Sequence, residues 1–230
     1  MKTSYFTKSE LLLWTSSIAA ILISFLLFDR ERYLTLLASL IGVTSLIYNA
    51  KGNPFGQLLM VVFSLLYGVI SYTFRYYGEM ITYLGMTMPM AVFALVAWLK
   101  HPYNGNKAEV RVNRLTRREC IFACVLTALV TLIFYFILKA FDTANLLLST
   151  ISVTTSFLAV YLTFRRSAAF AAAYAANDVV LILLWLLAAQ SDRSYLSVAV
   201  CFCAFLINDL YGFVSWRSMA KRQNKHSSAA

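Results

Sequence analysis

Apolar runs of membrane-spanning length alternate with short polar breaks along this chain. Uncharged stretches cover residues 11–28, 33–50, 52–74, 80–99, 120–138 and 143–164. Two more apolar segments, 167–190 and 194–216, each hold one deep acid, Asp178 and Asp209. A helix needs about 20 apolar residues to cross a hydrocarbon core, and these runs reach or approach that length. Lipid offers no hydrogen-bond partner to an open backbone, so the runs must be helical. The pattern predicts an all-α polytopic membrane protein with eight helices. Run 11–28 is longer than a signal-peptide core and is followed by no small-residue cleavage site, so it is expected to be retained.

Composition agrees: 60% of residues are hydrophobic, 13% are charged, and the mean hydropathy is +0.70. Soluble domains carry about 25% charged residues. The net charge of +10 is explained by topology, and no nucleic-acid partner is needed. With both termini cytoplasmic, 15 basic residues fall inside and five outside (Arg30, Arg32, Arg75, Lys139 and Arg193), as the positive-inside rule requires. The basic loop 101–118 and the tail after Trp216 are expected to lie against anionic lipid. Both histidines, His101 and His226, fall in hydrophilic segments. Cys120, Cys124, Cys201 and Cys203 fall in apolar ones, where they read as small buried hydrophobes. No metal or other cofactor is expected.

An internal repeat organises the chain. Residues 53–98 lie over 171–216 without a gap, at an offset of 118. Tyr67 then meets Trp185, Tyr77 meets Tyr195, and Trp98 meets Trp216. The chain divides into an extra helix (1–32), a three-helix repeat (33–100), a basic loop with a linker helix (101–142), a second three-helix repeat (143–217) and a basic tail (218–230). A single linker helix makes the triplets parallel, as in transporters that bind substrate between such repeats. Pro89, one turn after Gly85, is expected to kink the last helix of the first triplet.

Acids inside a membrane are costly and point to function. Asp178 and Asp209 each follow an asparagine, Asn177 and Asn208. The other acids, Glu10 and Glu79 among them, fall in loops or at span ends. At helical spacing Tyr174, Asp178 and Trp185 share one stripe, and Phe205, Asp209 and Trp216 repeat it; Asn208 and Tyr211 share an adjacent face. Such a stripe suits a flat polar or cationic ligand, with rings stacking or making cation–π contacts and acid and amide fixing its polar edge. Gln57, Ser64, Tyr67 and Thr82 are the candidates from the first triplet. A purely structural clamp between the Asn-Asp pairs is the competing reading. A third is an intramembrane enzyme with Asp178 and Asp209 as its catalytic pair, although no glycine follows either acid to flex the backbone. No phosphate-binding loop or acidic relay across the triplets is present, which favours facilitated diffusion.

Four segments carry a family resemblance: NPFGQLLMVVFSLLYG (53–68), RYYGEMITYLGMTMPMAVFALVAW (75–98), YAANDVVLILLW (174–185) and SYLSVAVCFCAFLINDLYGFVSW (194–216). The chain resembles the PnuC family of vitamin and nucleoside transporters over residues 33–222. That resemblance implies a homotrimeric plasma-membrane transporter moving nicotinamide riboside down its gradient, with a cytoplasmic kinase trapping the product. It implies substrate contacts from Gln57, Tyr67, Thr82, Tyr174, Asn177, Asp178, Trp185, Asn208, Asp209 and Tyr211. The family's two tryptophans ahead of Asp178 are Ala171 and Tyr174 here. Another nucleoside or vitamin, such as a deoxyribonucleoside, thiamine or riboflavin, remains the alternative substrate.

Overall fold

The computed structural model describes residues 5–73 and 77–227; Lys2, Phe74 and Arg75 of the sequence reading fall outside them. Among the described residues, eight helices are long and apolar enough to cross a membrane, and the chain is a multi-pass membrane protein. They are α1 (Lys8–Phe28), α2 (Tyr33–Ala50), α3 (Pro54–Thr73), α4 (Tyr77–Lys100), α5 (Arg117–Ala140), α6 (Leu146–Phe164), α7 (Phe170–Ala188) and α8 (Leu196–Ser227, after a single 3₁₀ turn).

Local chemistry sets the helix ends. Thr7 and Glu10 form a capping box on α1, and Thr116 and Glu119 form one on α5. The α5 box starts that helix at Arg117, ahead of the expected 120. Asn145 in the left-handed region starts α6 at Leu146 rather than 143. Between α2 and α3 the chain reverses at Gly52, whose φ of +67° would strain any side chain. Asn53 Oδ1 then accepts the Phe55 N–H.

Inside α4 the π turn Thr82–Thr87 interrupts the α-helix just before Pro89. Proline lacks an N–H and its ring clashes with the carbonyl four residues back, here Gly85. The backbone relieves this by a wider turn, in which the Met88 N–H reaches the Tyr83 carbonyl. The expected kink is thus a π turn, and Thr82 and Tyr83 ride on it.

The segment 101–118 is more than a lipid-facing loop. Strands β1 (Pro102–Tyr103) and β2 (Asn106–Val110) form an antiparallel hairpin. Its two turn residues, Asn104 and Gly105, both have positive φ, the geometry that matches strand twist. The hairpin packs on the end of α8, which continues as helix where a loose tail was expected. Gln223 Nε2 donates to Glu109 Oε1 at 2.9 Å and to the Val110 carbonyl at 3.1 Å, and Gln223 Oε1 accepts from Val112 N–H at 2.9 Å. Arg222 pairs with Glu109.

Helix contacts close a ring. α3 packs between α2 and α4, and α7 between α6 and α8; α4 meets α6, and α2 meets α8. Exchanging α2 with α6, α3 with α7 and α4 with α8 leaves this pattern unchanged. α5 lies outside on α6, and α1 lies on α2 and α8. Where the triplets meet on the hairpin side, Trp98 and Trp216 are fully buried with ring centroids 5.2 Å apart. Trp98 Nε1 donates to the Thr163 carbonyl of α6 at 2.9 Å, and Trp216 Nε1 to the Asn49 carbonyl of α2 at 2.7 Å. Each tryptophan thus bonds the first helix of the opposite triplet. Phe170 closes the plug, 4.8 Å from the Trp216 ring. Cys201 is buried, whereas Cys120, Cys124 and Cys203 lie on the outer surface, where lipid covers them in a membrane.

Candidate functional site

On the face opposite the hairpin, a vestibule of about 1070 Å³ opens between the start of α4, the α5–α6 connection and the end of α7. Tyr77, Phe141 and Trp185 line it. It leads to a cavity of about 440 Å³ between α4, α6 and α7. One wall of that cavity is a hydroxyl stripe. Ser149, Ser152 and Ser156 project from one face of α6, at the spacing a helix requires. Glu79, Thr82 and Tyr83 of α4 face them, and Asn177 of α7 closes the inner end. Asn177 Oδ1 accepts from Thr155 Oγ1 at 2.9 Å and Ser152 Oγ at 3.4 Å. With its oxygen held, its NH₂ is the group it offers a ligand.

Beyond Asn177 lies a carboxyl pair. Asp178 and Asp209 are both buried and within hydrogen-bond reach of each other. An ionised carboxylate only accepts, so a bond between the two requires a proton. Asp178 Oδ2 receives no hydrogen bond among the described residues. Tyr174 stands near both acids with its hydroxyl bonded to Thr163, and Tyr83 stands near Asp178. From Tyr174 aromatic contacts run through Phe170, 6.1 Å away, to Trp216 and Trp98. The cavity therefore has a polar wall, an acid and tyrosine cluster behind Asn177 and outside its lining, and, beyond that cluster, an aromatic seal toward the hairpin.

The ten residues singled out from sequence divide into groups. Thr82 and Asn177 line the cavity, and Trp185 lines the vestibule. Tyr67 meets Trp185 in an adjoining cleft of about 290 Å³, so these repeat partners face one space. Tyr174, Asp178 and Asp209 cluster behind Asn177 and line neither the cavity, the vestibule nor the cleft. The other three lie elsewhere. Asn208 Nδ2 donates to Ser17 Oγ of α1 at 2.8 Å, and Tyr211 donates to Glu10 Oε1 at 3.0 Å. Their shared face is real, but α1 covers it. Gln57 Nε2 donates to Asn49 Oδ1 at 2.8 Å and ties α3 to α2.

Two acids expected in loops or at span ends lie in the first turns of helices and are built into the structure. Glu10 is buried in the first turn of α1 and salt-bridged to Lys51 at 3.0 Å. Glu79 lines the cavity, the vestibule and the adjoining cleft. The serine stripe has a readable helical spacing in the sequence, but carboxylates and aromatics alone do not reveal it. Among the described residues no group of three or more His, Cys, Asp or Glu could hold a metal.

The family model described as nicotinamide mononucleotide transporter matches residues 32–218. The chain is 26% identical to the nicotinamide riboside transporter PnuC of Neisseria mucosa, over 92% of this chain and 84% of that protein. It is 23% identical to the nicotinamide riboside transporter PnuC of Haemophilus influenzae, over 84% and 83%. Its fold is similar to the crystal structure of the vitamin B3 transporter PnuC, with a TM-score of 0.82, 24% identity, and coverage of 95% of this chain and 94% of the other.

Proposed function

Because the chain belongs to the nicotinamide mononucleotide transporter family, we propose that it carries nicotinamide riboside across the membrane. The observation that carries this reading is the cavity of about 440 Å³ between α4, α6 and α7, walled by serines and the Asn177 amide. Hydroxyls and an amide match the ribose hydroxyls and carboxamide of the substrate. Tyr174 and the acid pair Asp178 and Asp209 stand behind Asn177, outside the lining of this cavity. Trp185 and Tyr67 flank the approach.

Transport in this reading is facilitated diffusion by alternating access. The chain comprises an extra helix (1–32), two triplets (33–100 and 143–217) and a linker (101–142), and the triplets rock against each other. The exchange-invariant helix contacts support such an arrangement. Here the cavity opens to the vestibule while the tryptophan pair bars the hairpin side. The basic residues support a cytoplasmic hairpin and termini in the plasma membrane. A cytoplasmic kinase would trap the riboside by phosphorylation, and the assembly would be a homotrimer. The relatives are transporters by name, and the catalytic-pair alternative is set aside.

A single binding experiment tests the substrate. Calorimetric titration of the purified protein is expected to show nicotinamide riboside binding that weakens at least about tenfold in Asn177→Ala, the loss of one buried polar contact. Binding of a deoxyribonucleoside, thiamine or riboflavin without nicotinamide riboside would overturn the assignment.

A further inference from the structure

Glu79 stands where three spaces converge: it lines the vestibule, the cavity and the cleft behind Trp185. Among the described residues it is the sole carboxylate lining the cavity. Its carboxyl sits against the Ser71 hydroxyl, and its Oε2 is buried with no hydrogen bond among the described residues. The other described polar groups lining the cavity, among them Thr82, Thr143, Ser149 and Asn177, are neutral; the vestibule wall carries a second carboxylate, Asp142. Arg32, among the described residues the one cation lining the adjoining cleft, is engaged by Asp192 at 3.1 Å and Ser194 at 2.8 Å and lies over the Tyr195 ring. A buried carboxylate at the junction of these spaces, beside the rings of Tyr77 and Trp185, is arranged to meet a cation.

We propose that Glu79 is a cation-recognition site on the access path, selecting ligands with a fixed positive charge on an aromatic ring over neutral nucleosides of the same size. The proposal deepens the nicotinamide riboside reading and rests on it, because the N-glycosidic bond leaves the pyridine ring of that substrate permanently cationic. The role is distinct from that of the serines and Asn177. They answer hydroxyls and a carboxamide, which neutral nucleosides also carry, whereas Glu79 answers the charge. Near the surface its field raises the local concentration of cations at the mouth; inside the passage it is less screened by water.

The test compares nicotinamide riboside with its neutral 1,4-dihydro form, nearly identical in size, by calorimetry on wild type and Glu79→Gln. Glutamine keeps the shape and removes the charge, exchanging one acceptor oxygen for an NH₂ donor. The expected result is a loss of about ten- to a hundredfold in affinity for the cationic form, with the neutral form changed less than about twofold. Equal weakening of both forms, or of neither, overturns the proposal. Thermal melting shows whether Glu79→Gln folds; if it does not, Glu79→Asp, which keeps the charge, must retain the preference for the cation. If wild type binds neither riboside, the substrate reading fails by itself. The small cation N-methylnicotinamide then decides the cation site, which requires binding to wild type and not to Glu79→Gln.

Discussion

The reciprocal tryptophans make a quantitative prediction about gating. Both acceptors belong to the opposite triplet, so any separation of the triplets on the hairpin side breaks both bonds. Replacing Trp98 and Trp216 by phenylalanine keeps an aromatic ring and removes each N–H. The Thr163 and Asn49 carbonyls also accept turn bonds, from Arg166 N–H and Gly52 N–H at 2.9 Å each. They are not orphaned, so each loss costs the net value of about 0.5–1.5 kcal/mol rather than a full desolvation penalty. Together the two changes disfavour the sealed conformation by about 1–3 kcal/mol, a shift of roughly 5- to 150-fold in the equilibrium. The readout is thiol labelling from the hairpin side at Ala171→Cys, in a background lacking the four native cysteines. Ala171 lies fully buried in the cluster around the two tryptophans. Labelling should quicken by that factor in the double variant and by about its square root in each single one. A double variant that labels at the parental rate, with unaltered unfolding temperature, would refute the reasoning.

Two further outcomes follow from packing and electrostatics. A Cβ at Gly42 would stand 2.4 Å from Phe205 Cζ and 3.1 Å from Phe63, so Gly42→Val should destabilise by about 1–3 kcal/mol in thermal melts, with partial rescue by Phe205→Leu; an unchanged melt would contradict this contact. Asp192, in the connection before α8, is held below its ordinary value of 3.8 by the Ser194 N–H first, then the Ser194 hydroxyl and Arg32. Its folded pKa is depressed, so its contribution is complete above about pH 3.8 and fades as pH falls through the lowered value. Exposure and screening limit that contribution to at most about 1 kcal/mol. Asp192→Asn should therefore lower the melting point slightly at pH 7, and the difference from wild type should vanish at strongly acidic pH.

Much of this architecture was legible in the residues alone. Lipid forbids unpaired backbone, so apolar length marked eight helices, six of them as charge-free runs. Trp98 and Trp216 emerged as partners from the offset, and the tertiary structure sets them ring to ring. Pro89 announced a disturbed α4, though not the π turn that resolves it. The Asn104-Gly105 pair carried a readable hairpin signal in a segment judged only by its charge. Periodicity also put Asn208 and Tyr211 on one face, but it could not say that α1 covers that face. The same limit hid the role of Glu79: an acid at a span end can face water or a cavity, and helical spacing does not say which. Helical spacing fixes which side chains point together, because it depends only on turn geometry. Which face meets a cavity, which meets another helix and which meets lipid depends on contacts between segments far apart in sequence. Those contacts exist only once the helices pack, and they decided that the polar wall comes from the serines of α6 opposite Glu79.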